Sequence, residues 1–138
     1  MKDIKGTQTE RNLIRAFSME AQTAIRYDHF ANRAAIEGHN DVAMLFSSSA
    51  AGERGHAFGH LEFLRRDPVS GNAMIRTRLN IQSAIAGETE EYHDIYPRMA
   101  EIARNEGFEE IAIWFETLAN AERSHANQFQ KALNTLLD

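Results

Sequence analysis

The sequence predicts an all-α protein, a four-helix bundle assembled from two helical hairpins in one domain spanning residues 1–138. Three observations predict it. Apolar residues recur at helical spacing in four long runs. Only two prolines interrupt the 138 residues, so long helices are free to form. The two halves also repeat one another when displaced by 69 positions. Glu37-Gly38 falls on Glu106-Gly107, Val42-Ala43 on Ile111-Ala112, and Phe46 on Phe115. The same displacement carries Glu53-Arg54-Gly55-His56 onto Glu122-Arg123-Ser124-His125. One hairpin cannot bury its apolar stripe alone, whereas two together close a bundle.

The first run starts behind Thr7-Gln8-Thr9-Glu10, a capping-box pattern. Leu13, Phe17, Glu20, Ala24, Tyr27 and Ala31 then share a face. Gly38 ends the run, and an N-cap at Asn40 or Asp41 opens the next. That second run carries Val42, Leu45, Phe46, Ser49, Glu53, His56, His60 and Leu64, and stops near Asp67-Pro68. Hairpin 1 therefore spans about 8–66, and residues 67–76 form a linker. The third run begins between Asn72 and Thr77 and carries Ile81, Ile85, Glu88, Tyr92 and Ile95. Pro97 lies inside it and should kink it. Gly107 ends it. The fourth run goes from Phe108 nearly to the C-terminus, with Glu109 and Glu110 in its first turn, so hairpin 2 spans about 77–137. Met19 and Met44 are assigned to the core.

Composition narrows the function. The formal net charge is −5 and no basic run occurs, which argues against nucleic acid or an anionic membrane as partner. No apolar run is long enough to span a bilayer. The polar start MKDIKGTQTERN lacks the apolar stretch of a signal peptide, so a cytoplasmic location is expected. There is no cysteine, so any metal must sit on Glu, Asp and His.

The segment 50–60, AAGERGHAFGH, is where chemistry shows. Glu53 and His56 lie on a stripe that should be burying apolar side chains, which is costly without compensation. In the predicted bundle Glu20, Glu53, His56, Glu88, Glu122 and His125 are equivalent positions, and Glu91 lies one turn beyond Glu88. Five carboxylates in a dry core repel one another. Two divalent cations would offset them. A Glu from each of two helices with Glu-x-x-His from each of the other two is the donor set of carboxylate-bridged di-iron and di-manganese bundles. One Glu-x-x-His pair is a weak signal; two in duplicate frames, each preceded by a Glu a hairpin earlier, make a strong one. His60 is read as structural, with loose metal binding as the alternative. His29, Asp28, His93 and Asp94 receive no role, and Arg65-Arg66 and Glu109-Glu110 are read as solvated.

The sequence resembles the rubrerythrins, in particular the ferritin-like domain that stands without a rubredoxin domain (the erythrin or sulerythrin type). KGTQTERNLIRAF, GETEEYHDIYP, ARNEGFEEIAIWFETLA and AERSHANQF carry the resemblance, which covers nearly the whole chain and is densest from Ser83 to Phe129. It implies iron ligands at Glu20, Glu53, His56, Glu88, Glu91, Glu122 and His125, with Glu53 and Glu122 bridging. It implies two iron ions, for which manganese or zinc could substitute. It also implies that Glu91 and His56 exchange at one iron between the oxidised and reduced states, and that Tyr27 and Tyr96 hydrogen-bond to ligand carboxylates. The implied activity is reduction of hydrogen peroxide to water, an oxidative-stress defence in which Glu91, His56 and Tyr27 take part. With no cysteine to build a rubredoxin site, the electrons are expected from a separate donor protein such as a rubredoxin. The alternative is a ferritin-like ferroxidase or iron-binding protein.

Assembly as a homodimer is expected. If the third helix starts at Thr77, about twelve residues reach roughly 40 Å, enough to recross the bundle. If it starts near Asn72, about six reach only about 20 Å, and the hairpins must be exchanged between two chains. The sequence leaves both open.

Overall fold

A computed structural model describes residues 3–136. The described residues are helical apart from the N-terminal stretch, the hairpin turns and the linker. The helices are α1 (Gln8–Ile36), α2 (Asn40–Leu64), α3 (Thr77–Glu90), α4 (Tyr96–Asn105) and α5 (Glu109–Thr135), with one π-helical turn, Glu91–Ile95, joining α3 to α4. No helix among them is long and apolar enough to cross a membrane. The chain divides into two compact units at Pro68/Val69, each a helical hairpin.

Hairpin 1 pairs α1 with α2. Thr7 caps α1, its Oγ1 accepting from Glu10 N–H at 3.1 Å. The return half of the box is shifted by one residue, because Glu10 Oε2 accepts from Gly6 N–H, not Thr7 N–H. Thr7 N–H already donates to Ile4 C=O. Gly38 (φ +85°) ends α1. His39 N–H reaches back to Ala34 C=O at 2.9 Å and Gly38 N–H to Ala35 C=O at 3.1 Å. Hairpin 2 repeats this turn at Gly107 (φ +88°), with Phe108 N–H on Ala103 C=O and Gly107 N–H on Arg104 C=O. Both are Schellman closures, which need a left-handed residue at that one place. The expected side-chain N-cap at Asn40 or Asp41 does not form. His39 holds the cap position without a side-chain bond, because this compact turn already places Asn40 inside the helix. α2 also ends earlier than expected, at Leu64, where Arg65 turns left-handed (φ +54°).

Each hairpin is sealed by alanine. In α2 the buried residues are Ala43, Ala50, Ala57 and Leu64, seven apart, and they face Ala24, Ala31 and Ala34 of α1. In hairpin 2 the buried residues are Ala100, Ala103, Ala112 and Ala126. Seven-residue spacing keeps one seam between two helices, and alanine lets the backbones approach closely. The larger apolar side chains stand beside the seam. Met19 and Met44, expected in the core, are 57% and 71% exposed, and Val42 and Leu45 are exposed with them. The small residues had already taken the positions that face the partner helix.

In hairpin 2, α3 starts at Thr77, the later of the two expected starts. The linker is thus the longer one, which removes the length argument that would have forced exchange of hairpins. Ser70 and Asn72 hydrogen-bond to Ser83 Oγ and fasten the end of the linker to α3. Arg78 donates to Leu136 C=O at 3.0 Å, closing the far end of α5. Pro97 falls in the first turn of α4, directly after the π turn. Tyr96 N–H bonds to Glu91 C=O, five residues back. A wider turn relieves the clash that a proline ring makes with the preceding turn.

Candidate metal centre

Each hairpin brings one Glu from its first helix to a Glu-x-x-His pair on its second. In hairpin 1, one ligand atom each from Glu20, Glu53 and His56 lies within 4.8 Å of the others. His56 Nδ1 is 2.9 Å from Glu53 Oε2 and 3.8 Å from Glu20 Oε1. In hairpin 2 the same holds for Glu88, Glu122 and His125. There His125 Nδ1 is 2.8 Å from Glu122 Oε2 and 3.5 Å from Glu88 Oε2. The groups are copies because each rests on the same register. Residues three apart on α2 or α5 share a face, and the alanine seam holds the opposite helix close.

The groups are not as dry as expected. The carboxylates are half-buried, but the His56 side chain is 63% exposed and that of His125 52%.

The electrostatics are those of carboxylates held too close. Contact with Glu53 raises the Glu20 carboxyl above the ordinary value, and Glu20 in turn lowers Glu53. In hairpin 2, burial and then Glu122 push Glu88 up to about 7, while Glu88 lowers Glu122. Each pair thus has one carboxyl held above its ordinary value and one held below it. Contact with Glu122 raises His125. The buried Glu88 Oε2 has no hydrogen-bond partner. An orphaned, buried carboxylate oxygen, facing an imidazole and another carboxylate, fits a cation. The donors are oxygen and nitrogen only, which suits iron, manganese or zinc.

Glu91 stands outside the tight group, as the first residue of the π turn. Burial and then the charge of Glu122 raise its carboxyl, so it lies in the field of the same site. Tyr96 belongs there too. Burial raises its hydroxyl, followed by the charges of Glu91, Glu122 and Glu88, and its ring stacks on Phe115 at 6.1 Å. In hairpin 1 the counterpart Tyr27 packs against Phe30 and Phe46 at 6.2 and 5.6 Å. Among the described residues its hydroxyl makes no hydrogen bond to a carboxylate. The π turn is the feature that sequence reading missed, although a signal was present. Glu20 and Tyr27 are seven residues apart, while Glu88 and Tyr96 are eight apart. One inserted residue lies between two otherwise matching positions.

Two helical hairpins, each presenting two carboxylates and an imidazole to one point, define an all-α protein with carboxylate–histidine metal sites. The rubrerythrin family model matches residues 11–133. The rubrerythrin of Clostridium perfringens is 35% identical, over 95% of this chain and 72% of its own length. That of Porphyromonas gingivalis is 38% identical (93% and 67%), and that of Nitratidesulfovibrio vulgaris 36% (94% and 71%). The chain belongs to the rubrerythrin family. With it come the all-α, ferritin-like class, iron as the cofactor, and a di-iron oxidoreductase of the oxidative-stress type.

Proposed function

We propose that this chain reduces hydrogen peroxide to water. Two electrons and two protons are consumed for each peroxide, and two waters leave. Iron, when bound, supplies the electrons. The observation that carries the reading is the duplicated Glu–Glu–His group, supported by Glu91, an additional carboxylate at the start of the π turn that feels the charge of Glu122.

The ligand assignment follows from this reading. Glu20, Glu53, His56, Glu88, Glu122 and His125 would hold the iron, with Glu53 and Glu122 as the carboxylates shared by the two ions. The raised Glu91 carboxyl and the imidazole of His56 would be the pair that exchanges between oxidation states. A carboxylate suits the ferric ion, while a neutral imidazole suits the ferrous one. The two halves close into one bundle, within a chain or between two copies, and the active form is a homodimer in the cytoplasm. These residues contain no cysteine, so the electrons enter from a donor outside them, of the rubredoxin type.

Protons have a route through the chain's own groups. Glu88, pushed up to about 7, is the ligand carboxyl best placed to hold a proton that metal binding would displace. Tyr27 is assigned as a proton donor on the hairpin 1 side. Its test is Tyr27→Phe, which should slow peroxide-driven oxidation in a pH-dependent way; an unchanged rate at every pH removes Tyr27 from the mechanism.

The experiment that tests the reaction uses protein loaded with ferrous iron without air. One equivalent of peroxide is compared with air-saturated buffer. Two irons per chain, oxidised far faster by peroxide, are expected. Faster oxidation by oxygen with further iron uptake would replace this reading with a ferroxidase.

A further inference from the structure

Glu53 and Glu122 are each followed by an arginine, Arg54 and Arg123. The two arginines reach across their helix pairs to different partners. Arg54 Nη2 donates to Asp28 Oδ2 at 2.7 Å, joining α2 to α1. The displacement that carries Arg54 onto Arg123 puts Pro97 where Asp28 stands, so hairpin 2 has no acid at that place. Arg123 lies instead over the ring of Tyr92, its Cζ 5.3 Å from the ring centroid. Hairpin 1 offers no ring in return. Tyr92 stands four residues after Glu88, and four residues after Glu20 is Ala24, buried in the seam. The change of partner coincides with the one-residue insertion that makes the π turn.

Tyr92 is the second residue of that turn, directly after Glu91. The turn packs against α5, and Arg123 is the residue directly after Glu122. The contact therefore joins the neighbour of one carboxylate to the neighbour of the other. A π turn is a rare form of helix, and sparsely populated backbone conformations persist where surrounding contacts hold them. A guanidinium over an aromatic face is such a contact. We propose that Arg123 and Tyr92 clamp the π turn to α5 and so fix Glu91 at its distance from Glu122. Both are positioning residues, and neither supplies a donor atom to the ligand set. The Arg54–Asp28 pair has no such turn to hold. Three residues after Glu20 comes Thr23 where hairpin 2 has Glu91, so hairpin 1 has no extra carboxylate to place. The inference rests on the reading of Glu91 and Glu122 as ligands of one iron centre, and adds to it how the extra carboxylate is kept in position.

Four variants of the full chain give the test. Tyr92→Leu and Arg123→Gln remove the contact, whereas Tyr92→Phe and Arg123→Lys keep a ring and a cation. In the metal-free protein, hydrogen exchange is followed at Tyr96 N–H, whose bond to Glu91 C=O closes the π turn. The first two variants should exchange it about 2- to 5-fold faster, as loss of an exposed cation–π contact implies, and the conservative two at the wild-type rate. In the iron-loaded, oxidised protein, iron release to a chelator should quicken by a similar factor in Tyr92→Leu and Arg123→Gln. Glu91→Gln should also release iron faster, and adding Tyr92→Leu to it should change nothing further. A purely structural role would make the two effects add. Circular dichroism checks folding, and Arg123→Gln, at an exposed residue, carries the test alone and with Glu91→Gln if Tyr92→Leu does not fold. Unchanged exchange at Tyr96 in the contact-removing variants, or additive iron release, would overturn the clamp. A wild type that holds no iron would overturn the ligand reading of Glu91 and Glu122, and the positioning role with it.

Discussion

Replacing Glu88 by Gln should flatten the pH dependence of stability in the metal-free protein. Burial and Glu122 push the Glu88 carboxyl up to about 7, against an ordinary value of 4.5. Between those values the folded chain holds a proton that the unfolded chain has released. The unfolding free energy therefore falls as pH rises through that window. At about 1.4 kcal/mol per pH unit, the ceiling is about 3 kcal/mol. The side chain is about one fifth exposed, so water screens part of it. His125 acts in the same direction. Its raised value gives stability at low pH that is lost as pH rises through that value. Glu122 acts in the opposite direction, because its lowered carboxyl gives stability above the ordinary value that is lost on acidification. The wild type is expected to lose about 2 kcal/mol between pH 5 and 8, and Glu88→Gln to remove at least half of that loss. Urea unfolding followed by circular dichroism, with chelator present at pH 5, 6.5 and 8, measures it. Equal slopes for the two proteins, or a wild type that gains stability with pH, would refute the account of Glu88 as a buried, crowded carboxyl.

Three further outcomes follow from the fold. Ala50→Leu inserts bulk at a fully buried seam position and should cost about 1–3 kcal/mol, read as a lower melting temperature; an unchanged one would mean the seam is not packed as described. Thr7→Ala removes the acceptor for Glu10 N–H and should cost about 1 kcal/mol in the same assay. Arg65→Gly relieves a left-handed residue whose strain is about 1–2 kcal/mol, against about 0.5–1 kcal/mol of lost chain freedom; a net gain near 0.5–1 kcal/mol is expected, and a loss would show that the Arg65 side chain matters more than its backbone.

The elements were legible where local chemistry decides them. The glycines at 38 and 107, the Thr7 cap and the acidic first turn of α5 all act within a few residues, and periodicity shows the helical runs. The site residues were legible through duplication, since a Glu-x-x-His pair that recurs in register is hard to attribute to surface charge. Less visible was which side of each helix meets its partner. The expected face of α1 already held Ala24 and Ala31, which are buried, but Val42 and Leu45 were placed on the face of α2 and Met19 and Met44 in the core, and all four are exposed. The contact is carried by alanine, because close backbone approach outweighed side-chain size there. The π turn was hidden for a different reason. A one-residue insertion leaves composition and periodicity almost unchanged and appears only when two copies are compared position by position.

The alanine seam also has a bearing on chemistry it never touches. A metal ion fixes the distance at which its donors must stand, to within a few tenths of an ångström. Glu20 and Glu53 come from opposite helices, as do Glu88 and Glu122, so the spacing of each helix pair sets the bite of each donor group. A methyl group at Ala50 or Ala112 therefore acts as a calliper setting. A bulkier residue there would open the jaws and change which cation radius is gripped, with every ligand still in place. A search for residues that tune metal choice should begin along this dry, featureless line.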